Sequence, residues 1–167
     1  MSPVGRSVAL EIGATAVGGL LLWLGVAMRS VTAPVVALIV WVTTLEPLCK
    51  MAVGSGLGIR YDYAYLRGIE PRFKMCYGTY LAASRPARIV LHLSGCVGSP
   101  LAAWLVARLT AARIPLAATI ATVVFDVIVA VNAGLFLAAV VGIRRLGSFP
   151  LAASSGGAAG SELRQAS

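Results

Sequence analysis

The sequence predicts an all-α polytopic membrane protein, with four transmembrane helices in two hairpins and a short amphipathic interfacial helix in the central segment. Three observations carry this fold class. Hydrophobic residues make up 59% of the 167, above the roughly 45–50% of a soluble domain. Charged residues make up only 12%, about half the usual share. The arginines gather at the ends of apolar runs, as membrane-flanking charges do. That last pattern also excludes nucleic acid as a partner, although the net charge is +8.

A hydrocarbon core of about 30 Å needs roughly 20 residues of helix. The first span is expected over residues 8–28, between Arg6 and Arg29. Its early Glu11 and its length argue against a cleaved signal peptide. The second is expected over 31–49, with Pro34 in its first turn, where proline is tolerated. The third covers 89–107, and the fourth covers 114–143, opened by Pro115. Short connections join spans one and two, and spans three and four. The membrane domain therefore occupies 1–147. The tail 148–167, rich in Ala, Ser and Gly, is expected to be disordered.

Orientation follows from basic residues. One side of a four-span chain holds Arg6, then Lys50, Arg60, Arg67, Arg72, Lys74, Arg85 and Arg88, then Arg144, Arg145 and Arg164. The other holds Arg29, Arg108 and Arg113. The excess puts both termini and the segment 50–88 in the cytoplasm. Arginine-rich, lysine-poor usage suggests a bacterial inner membrane.

All five tyrosines and both lysines fall between Lys50 and Tyr80. This segment is the candidate surface for lipid, substrate or partner, through Arg60, Tyr61, Tyr63, Tyr65, Arg67, Glu70, Arg72, Lys74, Tyr77 and Tyr80. Basic residues at an inner leaflet gain roughly 1 kcal/mol each from anionic lipid. Phe73, Tyr77, Tyr80 and Leu81 share one face of a helix, which is the expected amphipathic element. Tyr61, Tyr63 and Tyr65 alternate with Asp62 and Ala64, as in an extended strand or a surface loop. An internal echo relates 45–57 to 69–81 through the frame [LI]-E-P-x-x-K-M-x-x-G-[ST]-x-L. It reads as two capped helix starts, with glutamate near the positive end of the helix dipole and Glu–Lys pairs four apart. Gly54-Ser-Gly-Leu-Gly58 lacks the Gly-Lys-[Ser/Thr] of a phosphate-binding loop and reads as a flexible exit from the second span.

Two polar residues are expected inside the fourth span, Asp126 and Asn132. They lie about 240° apart around a helix. Intramembrane acids face a partner, a cavity or an ion path, and the available hydroxyls are Ser94, Ser99, Thr119 and Thr122, or another subunit. His92, the single histidine, is the one candidate ligand for a cofactor, and with Glu46 or Glu70 the one candidate acid–base pair. Small residues at Ala130, Gly134, Ala138 and Gly142 suit close helix packing. Three cysteines without CxxC spacing offer neither a disulfide framework nor a zinc site.

No catalytic constellation, metal site or particular cofactor emerges. The leading expectation is a non-enzymatic accessory or assembly subunit of a larger membrane complex. Anionic lipids, and a protein partner or further copies of the chain, are the expected neighbours. The alternatives are a proton-coupled transporter working as a dimer with Asp126 at its centre and an enzyme acting on a lipid-linked phosphate.

Overall fold

In the computed structural model, residues 4–67 and 70–140 are described, without the side chains of 66, 67, 70–72 and 138–140. The elements run α1 (Val4–Met28), α2 (Thr32–Gly56), β1 (Tyr61–Arg67), β2 (Glu70–Met75), α3 (Tyr77–Ala82), α4 (Arg85–Thr110) and α5 (Pro115–Val140). Among the described residues, four helices (α1, α2, α4 and α5) are long and apolar enough to cross a membrane. Two compact units divide at Val129, residues 1–129 and 130–167. The expected end of the fourth span and the tail 148–167 lie outside the described residues.

Residues 1–129 contain the core. Leu22, Ala37, Leu38, Ala103, Val106 and Ala121 form one buried cluster drawn from all four long helices. α2 packs along both α1 and α4. Small residues make these approaches possible, because lipid offers no hydrophobic drive between helices and close contact has to supply the attraction. A Cβ at Gly18 would stand 2.6 Å from the Trp41 ring, and one at Gly25 would run into Pro34. The Trp41 indole donates to the carbonyl of Thr15 at 2.8 Å. Thr15 and Thr44 bring their hydroxyls to 3.0 Å.

The second helix differs from expectation. It continues through Pro47 to Gly56, about two turns beyond the predicted end. The Glu46–Lys50 pair straddles the predicted end, and the chain turns only where Gly54, Gly56 and Gly58 allow it. Gly58 adopts φ +77, a conformation that glycine reaches without a Cβ penalty. Ile59 then donates back to the Gly54 carbonyl at 2.9 Å, closing α2.

The central segment is also corrected. β1 and β2 pair antiparallel, with Ala64 opposite Phe73 and Tyr65 opposite Arg72, and a register irregularity between Tyr61 and Tyr63. Phe73 and Lys74 therefore belong to a strand, and the helix expected from Phe73 onward is confined to Tyr77–Ala82. Alternating β-favouring aromatics won over the helical spacing of Phe73, Tyr77 and Tyr80. The echo loses its common structure in the same way. Glu46-Pro47 lies inside α2, Glu70-Pro71 lies in β2, and neither begins a helix. α4 is the helix with a built start. The Ser84 hydroxyl accepts from the Ala87 N–H, with proline in the first turn, an arrangement that satisfies an orphan donor.

Candidate functional site

Charged and polar side chains meet along the seam between α2 and α4. The helices touch at Gly98, where a Cβ would stand 2.7 Å from the Leu45 carbonyl oxygen and 2.8 Å from Glu46 Cα. One turn away, Gly95 leaves the space that the Lys50 stem occupies. Lys50 donates to Glu46 Oε1 at 2.6 Å. Ser99, buried on α4, donates to the Val42 carbonyl at 2.9 Å and lies 3.5 Å from the second Glu46 oxygen.

A second group caps this seam at the hairpin end. The Tyr61 hydroxyl donates to the Lys50 carbonyl at 2.8 Å, so the strand is tied to the last turns of α2. Burial pushes the Tyr61 phenol up to about 12. Tyr80 is buried with Ile59 and Leu91. Its hydroxyl is 3.0 Å from His92 Nε2, and the Arg88 guanidinium stands 5.7 Å over its ring. Burial raises the Tyr80 phenol, the Arg88 charge opposes the rise, and Tyr77 adds to it. Cys76 donates its backbone N–H to Arg60, while Thr79 accepts from the Arg60 N–H at 3.0 Å. These bonds join the hairpin to α3.

The predicted site residues divide accordingly. Tyr61, Tyr80 and His92 come together with Lys50 and Glu46. Tyr63 packs on Tyr65, with ring centroids 6.2 Å apart, and Tyr77 packs on Tyr80 at 6.0 Å. Arg60 and Tyr65 are exposed, and Lys74 is half-buried. The side chains of Arg67, Glu70 and Arg72 lie outside the described residues. His92 meets Tyr80. Gly95, Ser99 and Tyr80 are what place these groups, and sequence spacing alone did not connect them.

Asp126 has a different setting. The inward face of α5 carries buried Ala117 and Ala121, with Ile120, Val124 and Phe125 against the core. Asp126 lies on the opposite, exposed face with Thr119, Thr122 and Val123. Thr119 and Thr122 donate to carbonyls of their own helix, those of Pro115 and Ala118. Ser94 donates to Leu91, and Ser99 to Val42. None of the four hydroxyls expected to meet the carboxylate does so, because each is spent on a backbone oxygen. Asn132, on the second unit, is half-buried.

Ile114 donates to the Thr110 carbonyl at 2.8 Å, closing a helical turn ahead of α5. Ala121 of α5 is buried in one cluster with Ala103 and Val106 of α4, and Asp126 follows Ala121 by five residues. Glu11 is a further carboxyl within a span. It is buried in α1, and its Oε2 lacks a hydrogen-bond partner among the described residues. Sequence reading took it only as an interruption of the first span.

No family model, curated protein or solved structure matches the chain.

Proposed function

We propose that this chain is a non-enzymatic accessory or assembly subunit of a larger complex in a bacterial inner membrane. Both termini and the β-hairpin face the cytoplasm, where the basic, tyrosine-rich segment meets anionic lipid or a partner. The observation that carries the reading is Asp126, a carboxyl within a candidate span, on a face of α5 that is exposed among the described residues. Leaving such a group toward hydrocarbon costs about 3 kcal/mol on insertion scales. A neighbouring helix that supplies a donor removes this penalty.

The exposed position favours assembly over an internal proton path. A path through this one chain would require Asp126 to face a cavity lined by its own helices, and its face points outward. The short interfacial element is now α3 together with the hairpin, which keeps aromatic and basic residues at one end of the spans. Tyrosine suits that depth because its ring is apolar and its hydroxyl is wet.

Purification from native membranes in mild detergent tests the proposal. The expected result is a stable assembly that is lost on Asp126→Leu. A solitary wild-type chain with an activity of its own would remove the reading.

A further inference from the structure

Lys50 is the basic counterpart available to Asp126 within this sequence. Its ammonium has three donors, and the bond to Glu46 takes one of them. Its side chain remains 43% exposed, and that of Glu46 34%. The seam therefore presents a charged pair at its open side rather than enclosing it. In lipid, such a pair needs cover for the same reason as Asp126.

Depth decides which partner fits. Ala121 of α5 is buried in one cluster with Ala103 of α4, and Asp126 lies as many residues beyond Ala121 as Gly98 lies before Ala103, which brings it near the level of Gly98 and hence of Glu46. Lys50 lies one turn, about 6 Å, toward the hairpin end, within the reach of its flexible four-carbon stem. Copies of one membrane protein share the same insertion depth, so the acid of one copy meets the base of another without any vertical shift. The acid sits on α5 and the base on α2, so each copy carries both halves of the contact.

We infer that Asp126 of one copy docks against Lys50 of a second copy, side by side in the membrane. This rests on the assembly reading above and adds the identity of one partner. The contact joins the Thr119, Thr122 and Asp126 face of α5 to the open side of the α2–α4 seam. Lys50 then bridges two carboxylates, Glu46 of its own chain and Asp126 of the neighbour.

The test uses two full-length copies with different affinity tags, co-expressed and extracted in mild detergent. Wild type captures wild type. Asp126→Leu in both copies, or Lys50→Met in both, lowers capture by about tenfold, the effect of losing one intramembrane polar contact. A mixed pair, with one Asp126→Leu copy and one Lys50→Met copy, recovers capture because one intact contact remains between them. Recovery also shows that both variants fold.

Undiminished capture in both single variants overturns the inference, as does a mixed pair that fails to recover. Absent self-capture, together with a different protein that co-purifies with wild type and is lost on Asp126→Leu, overturns the second copy as the partner and leaves the assembly reading in place. A wild-type chain that is alone in native membranes overturns both.

Discussion

The α2–α4 seam and the outer face of α5 each place an ionisable residue within a helix long and apolar enough to cross a membrane, and they treat it in opposite ways. In the seam, Glu46 has Lys50 and Ser99, and glycines bring the backbones close enough for these bonds to form. On α5, Asp126 has exposed apolar neighbours, and the nearby hydroxyls are turned to their own carbonyls. The difference separates two uses of polarity in lipid. A polar group satisfied within the chain fixes how its helices pack, whereas one left open on a helix face creates a demand that another molecule meets.

Substitutions at the two regions should therefore diverge. The largest effect is expected from Gly98→Leu, since the new side chain meets the backbone of Leu45 and Glu46, which has no rotamer with which to yield. A loss of about 3 kcal/mol or more should appear in detergent-denaturation curves. Asp126→Leu should leave the same curves within about 0.5 kcal/mol. It should also improve insertion of the α5 segment by about 3 kcal/mol in a translocon assay. Equal destabilisation by both changes would erase the contrast.

Glu46→Leu comes next. It strands the Lys50 ammonium in the seam, and a loss of about 1–2 kcal/mol is expected, the lower part of the range for a charged hydrogen bond because the pair is partly exposed. The double variant Glu46→Leu/Lys50→Met should recover most of that loss, since removing both partners leaves neither unpaired. Equal stability of the single and double variants would show that the pair contributes nothing to the seam.

Tyr80→Phe should cost about 1 kcal/mol, the worth of the contact with His92, while keeping the ring under Arg88. The smallest effect concerns alkaline pH. Tyr61 is held neutral in the folded chain, with its phenol pushed up to about 12 from 10.0. Its contribution to stability is fully present below the ordinary phenol value and is lost as pH rises through about 12. Ultraviolet titration should show Tyr61 and Tyr80 ionising above the ordinary phenol value, and Tyr61→Phe should remove the step near 12.

The sequence revealed the spans because apolar length is a property of contiguous residues. It also marked Asp126, since a lone acid in an apolar run is conspicuous whatever the packing. The hairpin was half legible. Tyr61, Tyr63 and Tyr65 alternate as strand residues do, but Phe73, Tyr77 and Tyr80 also satisfy a helical period, and only pairing of β2 with β1 decides between them. The seam was not legible. Glu46 and Lys50 were a visible pair, but their meeting with Ser99 and the glycines of α4 depends on contact across about 50 residues of chain. Pro47 added to the difficulty, because a proline after glutamate reads as a beginning and here lies within α2.

The bond from Ile114 to Thr110 closes a helical turn just ahead of α5, which begins at Pro115. One residue inserted into α5 ahead of Asp126 would swing the acid by about 100°, off the outer face, and shift its depth. A residue added to the connector would leave that facing unchanged. Length variation in this protein should therefore be harmless between the two helices and disruptive within them.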